Sequence, residues 1–138
     1  VRRAVDFLQS RDEVDEDEIG YVGWSQGARM GALTSGVEHR IKAFDLIAGG
    51  AAPVSEYVKY APTDLQDELE TLLEKTDPIH FVGLAKPSEL LFQDGREDQV
   101  VPEAALKALA QAGSEGKRGR VACPTALVVR QADVNQPR

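Results

Sequence analysis

The stretch Ile19-Gly20-Tyr21-Val22-Gly23-Trp24-Ser25-Gln26-Gly27-Ala28-Arg29-Met30-Gly31 decides how the rest of the chain is read. It predicts a short apolar strand, a sharp turn carrying one serine, and the first turn of a helix. Gly23, Ser25 and Gly27 have the G-x-S-x-G spacing of a nucleophile elbow, in which a strained strand-to-helix turn lifts the serine hydroxyl above the sheet edge. Glycines two residues to either side leave room for the tight backbone. Trp24 and Gln26 flank the serine and are expected to shape its pocket. The first amides of the helix, that of Gln26 foremost, point where negative charge would develop, and a helix N-terminus favours such charge. The plain alternative is a tight strand–helix turn with an ordinary serine. The context favours the elbow: a strand comes before it, the small residues Gly27, Ala28, Gly31 and Ala32 follow on the helix, and a second apolar strand comes next.

Outward from this stretch, helices and strands alternate. Val1, Ala4, Val5 and Leu8 form one apolar stripe over 1–9. The acidic run from Asp12 to Glu18 reads as a solvated loop rather than a metal site. The strand over 19–23 leads to a helix over 26–37, which Gly36 and the Glu38-His39-Arg40 cluster bring to an end, cationic groups suiting its C-terminal dipole. Residues 41–48 are nearly all apolar around Asp45, as in a parallel strand buried on both faces. Gly49-Gly50-Ala51-Ala52-Pro53 breaks that strand. Thr63 and Gln66 fit a capping box. Leu65, Leu69, Leu72 and Leu73 then share a helical face, expected to pack on the sheet, with closure over a substrate as the other reading. A third strand is expected over 89–93, and a helix from Pro102 to about Ala112. A fourth strand over 121–129 is interrupted by Pro124, which suits an edge or a bulge. Residues 131–138 look disordered. Right-handed crossovers between such strands give a parallel sheet. The expectation is an α/β fold of about four parallel strands in three αβα layers, one domain over 1–138.

Composition sets bounds on function. The 138 residues are 42% hydrophobic and 28% charged, ordinary for a globular domain. A net charge of -7 argues against nucleic acid or an anionic membrane as the main partner. Cys123 is the only cysteine, so an internal disulfide is excluded. No apolar run approaches the ~20 residues of a membrane span. A cytoplasmic location is the expectation, with no cofactor and no metal.

With its elbow so placed, the chain resembles the α/β-hydrolase family, in its esterase and dienelactone-hydrolase-like branch. The likeness spans Val1 to Gln111, corresponding to the C-terminal half of a typical member, and it implies a fold truncated at its N-terminal side. A serine hydroxyl needs a base, and the base an orienting acid. The family order is Ser, then Asp or Glu, then His. Ser25 fills the first place. Gly95-Arg96-Glu97-Asp98-Gln99-Val100-Val101-Pro102 looks like the family's G-x-x-D-x-x-V-P stretch, in which Asp98 is the acid. Asp94 and Glu97 are the neighbouring alternatives, and the ordinary reading of Asp98 is a loop carboxylate bonding its own backbone amides. The third place is empty, because no histidine follows Asp98. His39 lies about 21 Å beyond Ser25 at 1.5 Å per helical residue, and His80 precedes the third strand, so both read as surface or packing residues. The family's second oxyanion amide comes from an earlier loop; here the amide of Gln26 is the oxyanion donor in view. The tail from Lys117 onward also departs in composition: Lys117, Arg118, Arg120, Arg130 and Arg138 stand against Asp133 alone.

The resemblance implies a serine hydrolase acting on a carboxylic ester, thioester or amide, a small-molecule substrate, with the isolated chain nearly inactive for want of its base. The alternative is a truncated, non-catalytic hydrolase fragment that serves as a binding or interaction module. An open α/β module holding an anion at the Gln26 helix terminus is a third reading, weakened because neither a P-loop ending nor G-x-G-x-x-G is present. The elbow strand is normally central in this family. With its outer edge unpaired, it is expected to drive homodimerisation or poor solubility.

Overall fold

The computed structural model describes residues 1–51, 54, 58–95, 98–114, 119–122 and 127–131. The apolar stripe of the first helix, α1 (Arg2–Gln9), inserts Val5 into the core. The elbow strand β1 (Gly20–Trp24) runs into α2 (Gln26–Ser35), and β2 (Ala43–Ile47) follows. A 3₁₀ turn (Thr63–Leu65) precedes α3 (Gln66–Lys75), and a four-residue helix, α4 (Ile79–Val82), precedes β3 (Glu89–Gly95). The chain continues through α5 (Glu103–Ser114), β4 (Gly119–Ala122) and β5 (Leu127–Gln131).

The sheet order is β1-β2-β3-β5-β4. β1, β2 and β3 are parallel and in register, with Gly23 opposite Leu46 and Leu46 opposite Phe92. This is the expected α/β class, reached with three parallel strands rather than four. The strand expected over 121–129 is instead two strands: β5 runs antiparallel to β3, and β4 antiparallel to β5. Only residues 123–126 separate them, and so short a link can return the chain only as a hairpin. Pro124 falls in that link, outside the described residues; of the stretch 131–138 expected to be disordered, Gln131 instead ends β5, opposite Leu91, and residues 132–138 lie outside the described residues.

Alternation along the strands gives the sheet two unlike faces. Phe44, Leu46, Leu90 and Phe92 are buried together with Ala28 and Ala32 of α2, Val82 of α4 and Leu109 of α5. Gly31 packs α2 so closely that a Cβ there would lie 2.4 Å from the Tyr21 ring. On the other face Val22 and Trp24 are 72% and 74% exposed. The three-layer arrangement is therefore seen as two layers among the described residues, since α2, α4 and α5 pack on one face only.

Two further expectations are corrected. No residue of α3 is buried, so its leucine face does not pack on the sheet. The Thr63–Gln66 capping box does not form either; the Gln66 side chain instead donates to the Ala61 carbonyl at 3.1 Å. The Glu38-His39-Arg40 cluster is more than a helix end. Arg40 donates to Glu38, to Asp6 of α1 at 2.9 Å and to Gln9 of α1 at 2.7 Å. The Glu38 carboxylate, 3% exposed, is held down to about 2 by its hydrogen bonds from Arg40. This network fastens α1 to the connection between α2 and β2.

Candidate active site

β1 ends at Trp24 and α2 begins at Gln26, so a single residue must turn the chain from strand to helix. That residue, Ser25, has φ 51° and ψ -113°. A positive φ costs an L-residue with a side chain on the order of 1–3 kcal/mol and persists only where the surroundings impose it. The restraints are visible. The Ser25 N–H donates to the Ile47 carbonyl at 2.8 Å, and the Ser25 carbonyl accepts the first helical bond from the Arg29 N–H at 3.0 Å. Gly23 makes the turn sterically possible: a Cβ there would lie 2.6 Å from the Gly27 carbonyl and 2.8 Å from the Ala28 nitrogen. Below the turn, the Tyr21 hydroxyl donates to the Gly27 carbonyl at 2.7 Å. Burial raises the Tyr21 pKa, which keeps this phenol a neutral donor.

Ser25 is exposed at the carboxyl end of the parallel strands, on the wall of a cavity of about 70 Å³. Gln26 and Arg29 of α2 form one side. The segment 48–51 after β2 forms the second, and Val100, Val101 and Pro102 ahead of α5 form the third. Ala48 is the other non-glycine residue with positive φ, at 52°, so both such residues among those described line this cavity. The Asp98 carboxylate accepts from the Val100 N–H at 2.8 Å and the Val101 N–H at 2.9 Å, both through Oδ1. That is the ordinary loop role foreseen for it, and the same bonds shape the segment that faces Ser25. Asp98 itself does not line the cavity. Asp94 is buried in β3 at 4% exposure; Glu97 lies outside the described residues.

The structure thus brings together Ser25, Gln26 and the loop that follows Asp98. Trp24 points to the open face of the sheet, away from the cavity. His39 and His80 are both exposed, and neither lines the cavity. Sequence reasoning passed over Arg29 and the segment Ala48–Ala51. The signal for Arg29 was its spacing, four residues after Ser25 on one helix and hence on the same face. In sequence, Gly49 and Gly50 read only as a strand breaker. Among the described residues no group of three or more His, Cys, Asp or Glu could hold a metal ion, and no helix is long and apolar enough to cross a membrane.

Three parallel strands, β1 to β3, with a positive-φ serine between β1 and the following helix define an α/β-hydrolase-like protein. The chain belongs to the BAAT / acyl-CoA thioester hydrolase C-terminal family, whose model matches residues 2–137. The match is to a thioester-hydrolase family and does not single out the dienelactone-hydrolase-like branch. It also runs through the basic tail that composition set apart. Among curated proteins none matches the chain.

Proposed function

We propose that the chain is the nucleophile-bearing part of a serine thioesterase acting on acyl-CoA-type thioesters. The observation that carries this is the left-handed Ser25 at the strand–helix junction, opening on a cavity. In this reading the Ser25 Oγ attacks the thioester carbonyl and its proton passes to a base. The Gln26 N–H holds the oxyanion, a donor worth about 2.7–4 kcal/mol in a serine protease. The thiol departs with the proton, and water then cleaves the acyl-serine. Asp98 orients the base: Oδ1 is occupied by the two loop amides, and Oδ2 is the oxygen available to an imidazole.

Neither histidine of the chain lines the cavity, so in this reading the base comes from outside these residues. Losing a triad histidine costs on the order of a million-fold in kcat, and turnover by the isolated chain is expected to be correspondingly slow. The same observation favours the second reading, a non-catalytic fragment. Intact mass after treatment with a fluorophosphonate probe separates them, with Ser25→Ala as control. Labelling at Ser25, with thiol release from an acyl-CoA, supports the thioesterase. A folded chain that takes no label leaves the binding module.

A further inference from the structure

β1 ends the strand order of the described sheet, and its exposed residues lie in one line along it. Gly20, Val22 and Trp24 alternate with Tyr21 and Gly23, so all three fall on the open face of the sheet. The backbone alternates in the same way. The Ser25 N–H donates to the Ile47 carbonyl, and the Ile19 carbonyl accepts from the Lys42 N–H. The odd-numbered residues of this segment therefore turn their N–H and C=O groups towards β2. Those of Gly20, Val22 and Trp24 face outward, with no strand beside them among the described residues. A Cβ on Gly20 would meet nothing nearer than the Ala43 carbonyl oxygen at 3.9 Å, so the surface above this glycine is open. An edge of this kind is a template for a further strand, and its sequence is complementary to itself.

We propose that two copies of the chain pair through antiparallel β1 strands, about a two-fold axis at Val22, and join their sheets into one. In this register Val22 lies opposite the partner's Val22, and Trp24 opposite the partner's Gly20. The outward N–H and C=O groups of all three residues are then the ones that an antiparallel ladder bonds. Each indole lies over a residue with no side chain to obstruct it and reaches the partner's Val22 on the diagonal. The contact is isologous and closes at two copies. Charge selects the antiparallel sense. The acidic run from Asp12 to Glu18 precedes β1, and parallel strands would set two such runs side by side. Antiparallel strands hold them about 17 Å apart, five residues at about 3.4 Å each, twice the Debye length of about 8 Å at physiological ionic strength. Each run then stands towards the end of the partner strand where α2 presents its positive N-terminus. A tryptophan buries about 150–250 Å². Two of them, with two valines and two strand edges, make an interface at the small end of specific ones, below about 1,200 Å², and a micromolar Kd is expected. The proposal is independent of the chemistry at Ser25.

Sedimentation equilibrium of the full chain at tens of micromolar is expected to give the mass of a dimer. The register is tested by cysteines placed on β1 in a Cys123→Ser background and oxidised with copper phenanthroline. Opposed residues of a hydrogen-bonded antiparallel pair have Cα atoms about 5.5 Å apart, inside the range of about 4.4–6.8 Å that a disulfide spans. Val22→Cys is therefore expected to link to itself. Val22 is largely exposed, so the change disturbs no core contact. Trp24→Cys mixed with Gly20→Cys is expected to give the mixed disulfide, and neither to link to itself. A parent that is monomeric leaves this edge to a different chain and overturns the proposal. A dimer in which Val22→Cys does not link overturns it too, because copies stacked by their open faces hold their sheets about 10 Å apart. So does Trp24→Cys linking to itself more readily than to Gly20→Cys, which is the outcome of parallel strands.

Discussion

The two glycines of the G-x-S-x-G pattern look equivalent in sequence, and the structure makes them opposites. A Cβ on Gly23 would meet three backbone atoms, the Gly27 carbon and oxygen at 2.6 Å and the Ala28 nitrogen at 2.8 Å. These atoms belong to the first turn of α2 and cannot swing aside as a side chain can. Overpacking of this kind costs about 1–3 kcal/mol, and rigid backbone neighbours place Gly23→Ala at the upper end. A Cβ on Gly27 meets nothing nearer than the Tyr21 hydroxyl at 4.0 Å, an ordinary contact. Gly27→Ala should stabilise by about 0.4–1 kcal/mol, because alanine has less freedom to lose on folding and the helical backbone suits it. The two variants should therefore differ by about 3–4 kcal/mol, which for a chain of this size means roughly 10 °C or more in Tm. Urea unfolding followed by circular dichroism measures both against the parent. If they unfold within about 1 kcal/mol of each other, the tight approach of β1 to α2 at Gly23 is not what shapes the elbow.

Three further outcomes are expected. Ser25→Gly should raise stability by about 1 kcal/mol or more while abolishing fluorophosphonate labelling, since it releases the positive-φ strain; a thermal melt no higher than that of the parent would show that the turn is not strained. Glu38 has its folded pKa lowered from 4.5 to about 2, so its contribution to stability is complete above about pH 4.5 and is lost as pH falls towards 2; urea midpoints measured at pH 6 and pH 3 should drop less for Glu38→Gln than for the parent, and equal drops would refute the role of its hydrogen bonds from Arg40. Val22 and Trp24 stand exposed on β1, the edge strand of the described sheet, so Val22→Lys with Trp24→Lys should reduce self-association in light scattering at tens of micromolar; a parent that is already monodisperse and monomeric would sink the expected dimer.

How far the sequence could be read depended on the range of the interactions involved. The elbow was legible because the residues that make it lie together in sequence between Gly20 and Gly31: the strand, the glycine whose Cβ would strike the next turn, and the small residues that let α2 settle on Tyr21. The loop after Asp98 was legible for the same reason, since its bonds reach only two and three residues ahead. The failures are at longer range. Leu65, Leu69, Leu72 and Leu73 have helical spacing, but spacing cannot say whether a surface exists to receive them, and none of α3 is buried. Arg40 passed for a helix-end cation because its partners Asp6 and Gln9 are more than thirty residues away. Arg29 could be placed on the Ser25 side of its helix by spacing. That it is buried became visible only once the segment after β2 and the loop ahead of α5 had closed around it. The cavity is made by that convergence of three segments, and a strained serine is of chemical use only where such a cavity receives it. The local motif therefore fixes where a bond can be made, while the distant partners of α2 decide what can be held there.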